Sequence, residues 1–98
     1  MKTVEDVFVA RMIVLRDMKN VTQVELAKRL TGLGKNFYDS TIAKIEKGQR
    51  RVSLIEAALI SEALGVDLAY MTASDIPDDI RVHMESEVRA LKRWKEGL

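Results

Sequence analysis

Asn20–Gly48, NVTQVELAKRLTGLGKNFYDSTIAKIEKG, decides how the rest of the chain is read. Thr22 followed by Glu25 has the form of a capping box, in which each side chain satisfies a backbone N–H at a helix start. Leu26, Ala27 and Leu30 recur behind it at helical spacing, and Gly32 and Gly34 stop the helix. A second short helix begins near Asp39 or Ser40, buries Ile42 and Ile45, and ends at Gly48. Between Leu30 and Ser40 lie the nine residues Thr31 to Asp39. The pattern is two short amphipathic helices joined by a glycine-containing turn, with the outer face of the second left over.

Upstream, the spacing predicts a helix from about Val4 to Lys19, capped by Thr3 with Asp6 as its partner, and with Val7, Phe8, Leu15 and Met18 facing inward. Asn20 stands where a left-handed residue closes a helix, and asparagine is the best substitute for glycine there. Downstream, Ser53 and Glu56 form a second capping box. The helix behind it runs to Leu64, with Gly65 as its stop and Leu54, Ala57, Ala58, Ser61 and Leu64 as its core face. A short helical turn over Asp67–Met71 follows, and DIPDD at 75–79 then marks a new helix start, with proline in its first turn and acids at the positive end of the dipole. This last helix should reach about Lys95. The expectation is an all-α fold: a compact five-helix domain over 1–71 and an additional C-terminal helix over 72–98.

Composition excludes several classes. The 98 residues, 47% hydrophobic and 32% charged, suit one globular domain. Without cysteine there is neither a disulfide framework nor a thiolate metal site, and the lone His83 has no His or Cys partner, which argues against zinc. His83 reads as a solvated helical residue. No apolar run is long enough to span a bilayer, and MKTVEDV carries acids where a secretory signal is basic, so a cytoplasmic protein is expected. Net charge is only +1, but Arg16–Arg51 carries nine basic residues and four acids, whereas Asp67–Leu98 carries five basic residues and seven acids. A positive middle attached to an acidic end implies a directed electrostatic face. No nucleophile–base pair, metal cluster or phosphate-binding glycine loop supports an enzyme, and no cofactor is implied.

LRDMKNVTQVELAKRL, STIAKIEKG and SLIEAALISEALGV, in that order, resemble the lambda-repressor/Cro-type (XRE) helix-turn-helix family over roughly residues 10 to 71. The resemblance implies a sequence-specific regulator of transcription that binds double-stranded DNA. It places Gln23 on a phosphate and Asp39, Ser40 and Lys44 against base edges. The spacing agrees, since these three share a face opposite Ile42 and Ile45. Lys44 suits guanine O6 or N7, while Arg16, Lys47, Arg50 and Arg51 flank that face and would neutralise phosphates. Glu46 matches a frequent acid of the family and is expected to be structural. Two features depart from the pattern. The turn is longer than the usual four residues, which brings Lys35 and Asn36 within reach of phosphate and asks Phe37 or Tyr38 to fill the added space. Asp39 is an acid where amides are usual; it either accepts from cytosine N4 or caps the helix without touching a base.

Ile55 and Leu59 lie where the family commonly shows polar residues, and large apolar side chains on a second face imply a second partner. The last helix offers Ile80, Met84, Val88, Leu91 and Trp94 at helical spacing. We expect Ile55, Leu59, Met84, Val88, Leu91 and Trp94 to build a homodimer; packing within one chain is the alternative. The leading expectation is a repressor, phage or host, on a palindromic operator. No room is left for a ligand-sensing domain, so control by abundance or by a regulatory protein partner is expected. The alternative function is an antitoxin whose 72–98 segment covers a toxin and whose DNA binding autoregulates its operon.

Overall fold

A computed structural model describes residues 3–96; the side chains of Val88, Ala90 and 91–96 are outside that description. The described residues form six helices and no strand: α1 (Val4–Lys19), α2 (Gln23–Gly32), α3 (Asp39–Glu46), α4 (Leu54–Ala63), α5 (Leu68–Thr72) and α6 (Asp78–Glu96). The fold class is therefore all-α, and the helix order matches the sequence reading.

α1 is the central element. It packs against α3, α5 and α6, while α2 lies between α3 and α4. Thr3 and Asp6 form the expected reciprocal cap, and Asn20 closes the helix in the left-handed region at φ 55°. Its buried face is Phe8, Arg11, Met12 and Leu15, one turn apart, so Met12 and Arg11 take the central place expected of Val7 and Met18. Phe8, Met12 and Leu15 meet Leu26, Leu30, Ile42, Ile45, Ile60, Leu64 and Met71 in one core. Each fully buried aliphatic side chain there contributes roughly 1.5–3 kcal/mol over its exposed state.

Three local expectations need correction. The cap of α2 is half formed: Thr22 accepts from the Glu25 N–H, but the Glu25 carboxylate turns to Arg29 one helical turn on. α4 keeps its expected face at Ala57, Ser61 and Leu64 but not at Leu54 and Ala58. Its buried residues are Glu56, Ile60 and Ser61, with Leu64 behind them, whereas Leu54 is 76% exposed. The Ser53–Glu56 box explains this, because it fixes the first turn with Glu56 pointing inward. Pro77 precedes the first turn of α6 rather than lying in it, and its carbonyl accepts the Arg81 N–H at 3.0 Å.

The first turns of α6 belong to the same packed body as α1. Ile80 is buried in the common core. The Arg11 guanidinium, itself buried, donates to the Tyr70 carbonyl at 2.8 Å and the Asp75 carbonyl at 2.9 Å, and so ties α1 to the end of α5 and the segment before α6. The Tyr70 hydroxyl donates to Asp79 at 2.5 Å; burial and the carboxylate together push it up to about 12. Further along, His83 meets Asp17 of α1 at 2.8 Å and Glu87 at 3.4 Å. The histidine is therefore part of an α1–α6 clasp rather than a solvated residue. Its hydrogen bond holds the Asp17 carboxyl below the usual range, and the neighbouring Asp17 pushes Glu87 up.

Candidate nucleic-acid interface

α3 is eight residues long and too short to be stable alone. It is held by its inner face, where Ile42 and Ile45 are 0% exposed, and by a polar cluster at its end. There Glu46 accepts from Arg16 Nε at 2.6 Å, from a terminal Arg16 nitrogen at 2.7 Å and from the Gln23 amide at 3.0 Å. Arg16 also donates to the Val21 carbonyl at 2.9 Å. A bidentate arginine–carboxylate pair restricts orientation as well as distance. α1, α2 and α3 are thereby locked together through one carboxylate. Beyond it, Gly48 takes φ 74°, and the N–H groups of Gly48 and Gln49 return to the carbonyls of Ile45 and Lys44. That is the left-handed closure for which glycine is the favoured residue.

The opposite face of α3 is open. Asp39, Ser40 and Lys44 are exposed, and none of their side chains has a hydrogen-bond or ion-pair partner among the described residues. Asp39 is the first helical residue, and the cap position belongs to Tyr38, which makes no side-chain cap bond. The reading of Asp39 as an N-cap is thus corrected, because the helix starts one residue earlier than a cap there requires. Tyr38 is 66% exposed. Together with Val24, Ala27, Lys28, Thr31, Phe37 and Asp39 it lines a shallow groove of about 300 Å³ where α2 meets the start of α3. Lys28 escaped the sequence reading because one lysine on the polar side of an amphipathic helix carries no distinguishing signal.

The long turn before α3 has a definite anchor. Phe37 is buried in the core, as the added length demands, and the Arg50 guanidinium lies 5.6 Å above its ring. Arg50 also donates to both oxygens of the buried Glu56, at 3.1 and 2.9 Å, with Lys35 at 4.0 Å from the same carboxylate. These bonds, Arg50 first, bring Glu56 down to about 2, and Arg50 is raised in turn. Arg51 remains exposed with Glu5 at 3.4 Å, and Lys47 is exposed with no partner among the described residues. Arg16 and Arg50, expected beside phosphates, are thus each engaged by a carboxylate of the fold, Glu46 and Glu56 respectively.

The geometry is that of a short helix presented outward by α1 and α2 and flanked by lysines. A family model described as helix-turn-helix matches residues 14–71, more than half of the chain. The chain belongs to the lambda-repressor/Cro-type (XRE) helix-turn-helix family. Searches of curated proteins and of solved structures returned no match. Membership makes this XRE protein a sequence-specific DNA-binding regulator, of a family that is not enzymatic. Among the described residues no helix is long and apolar enough to cross a membrane.

The residues expected to form a dimer interface are spread between two helices. Ile55 is 70% exposed and Leu59 is half-buried against the core. Met84 is exposed on α6, while Val88, Leu91 and Trp94 lie outside the described side chains.

Proposed function

We propose that this XRE protein is a transcriptional repressor that binds a palindromic operator as a homodimer. α3 enters the major groove, where Ser40 and Lys44 read base edges and Asp39 meets an exocyclic amine of cytosine. Gln23, Lys35, Lys47 and Arg51 contact the flanking phosphates, with Lys28 beside them. Arg16 and Arg50 act mainly through Glu46 and Glu56, by fixing the angle at which α3 stands. Ile55, with Leu54 beside it, and the exposed side of α6 supply the contact between copies, setting two α3 helices about 34 Å apart on successive groove turns. Occupying promoter DNA then blocks transcription.

The observation that carries this reading is the contrast across α3: Ile42 and Ile45 fully buried, Asp39, Ser40 and Lys44 exposed and unpaired among the described residues. Selection of bound sequences from a random duplex pool, followed by sedimentation of the selected complex, tests it. An inverted repeat carrying two chains is expected. A single half-site with one chain would remove the dimer, and no enrichment at all would remove the base-reading role of α3.

A further inference from the structure

The α1–α6 clasp has a donor set that its role as a hydrogen-bonded contact leaves unexplained. Asp17, His83 and Glu87 each offer one ligand atom, and these atoms all lie within 4.8 Å of one another. His83 and Glu87 are one turn apart on α6, so a single helical turn presents both, and Asp17 closes the set from α1. Two donors on one Zn²⁺, at bond lengths of about 2.0–2.1 Å in tetrahedral arrangement, stand roughly 3.3 Å apart. His83 Nε2 is 3.4 Å from Glu87 Oε1 and 2.8 Å from Asp17 Oδ2. Small rotations of two exposed carboxylates are enough to meet that spacing.

Charge points the same way. Two carboxylates crowd one imidazole, and the Arg16 guanidinium beside them is already bonded to both oxygens of Glu46. A groove of about 580 Å³ runs past Asp17 and Glu87 along Val14, Arg16 and Asn20, which leaves room for the waters that complete a three-ligand shell. We infer that Asp17, His83 and Glu87 form a site for a divalent first-row transition metal ion, Zn²⁺ in the first instance, that fastens α6 to the DNA-binding body. One imidazole and two carboxylates are a nitrogen–oxygen set of the kind such ions take, and soft thiolate-seeking ions are disfavoured. Because α6 docks on α1 through Ile80 and this cluster, metal occupancy sets how firmly the C-terminal helix is held. The site was illegible in sequence because Asp17 and His83 are 66 residues apart.

The test uses the untagged full chain, dialysed against chelator and titrated with Zn²⁺ by calorimetry at neutral pH, with His83 ring resonances followed by NMR. One equivalent should bind, shift the His83 resonances and raise the melting temperature. His83→Ala and Glu87→Gln should each weaken binding by tenfold or more. Glu85→Gln, a change to an acid paired with Arg89 on the same helix, should leave it unaltered. Circular dichroism of the metal-free variants checks that helicity is kept, and Glu87→Gln, at an exposed position, serves if His83→Ala does not fold. Absence of saturable binding up to millimolar Zn²⁺, or binding that both variants retain, would overturn the assignment. Stoichiometric binding without a His83 shift would place the ion on other surface carboxylates and overturn it equally.

Discussion

Glu56→Gln should expose how the long turn is held. In the wild type Glu56 is buried, accepts from Arg50 at 3.1 and 2.9 Å and from the Ser53 N–H at 3.0 Å, and is depressed from 4.5 to about 2. A group depressed on folding contributes stability that is fully present above its unfolded value and is lost as pH falls through the folded value. The window is therefore about pH 4.5 to 2. At about 1.4 kcal/mol per pKa unit the full shift corresponds to roughly 3 kcal/mol. Arg50, whose side chain is 39% exposed, is partly screened by water, which reduces the expectation to about 2 kcal/mol. Glutamine preserves an oxygen for Ser53 but abolishes the charge and replaces the acceptor of Arg50 Nη2 by an amide NH2, so it removes the ion pair. Urea unfolding followed by circular dichroism, at steps from neutral to acid pH, should show wild type about 2 kcal/mol more stable at neutral pH. The gap should close as pH falls through the window. A gap independent of pH, or one below about 0.5 kcal/mol at neutral pH, would mean that the pair is an ordinary surface contact. Glu56 and Arg50 would then not be what anchors the turn.

Three further outcomes concern the interface. Lys44→Ala should cost roughly 1–3 kcal/mol on the selected operator and little on random duplex, measured by fluorescence anisotropy; equal losses on both would move Lys44 to the phosphate contacts. Lys47→Ala should weaken binding to all sequences and lower the slope of log K against log salt by about one, and a sequence-dependent loss would reassign it to base reading. Glu46→Ala leaves the largely buried Arg16 guanidinium without its carboxylate and should destabilise the fold by roughly 3 kcal/mol in thermal or urea unfolding. A loss below about 1 kcal/mol would show that the cluster does not lock α3.

Local chemistry made the helices legible. Thr3, Thr22 and Ser53 start three of them by accepting a backbone N–H three residues on, and Asn20 and Gly48 end two by adopting the left-handed region. The open face of α3 was legible for the same reason, since Ile42 and Ile45 fix which way Asp39, Ser40 and Lys44 point. What sequence could not supply were contacts between residues far apart in the chain. Arg11 looks like one more surface arginine until the carbonyls of Tyr70 and Asp75 are placed around it. α4 misled because its seven apolar residues are spread around the helix, so periodicity does not single out a face. Its orientation is decided by Glu56, a charged residue that hydropathy would turn outward and that Arg50 draws in.

The same long-range pairs change the meaning of the positive middle segment. Of its nine basic residues, Arg16, Arg29, Lys35, Arg50 and Arg51 each have a carboxylate partner, and the two best-formed pairs are with acids buried in the body. Among the described residues Lys19, Lys28, Lys44 and Lys47 have none, and Lys19 lies near Gly65 rather than beside α3. Arg16 and Arg50, whose planar forks suit fixed bidentate geometry, tie the scaffold together, while Lys28, Lys44 and Lys47 keep their charges unpaired. A chain of net charge +1 can in this way keep Lys28, Lys44 and Lys47 unpaired at and beside α3. Under the proposed function, specific contacts depend on the angle of α3, which the Arg16–Glu46 and Arg50–Glu56 pairs help to fix.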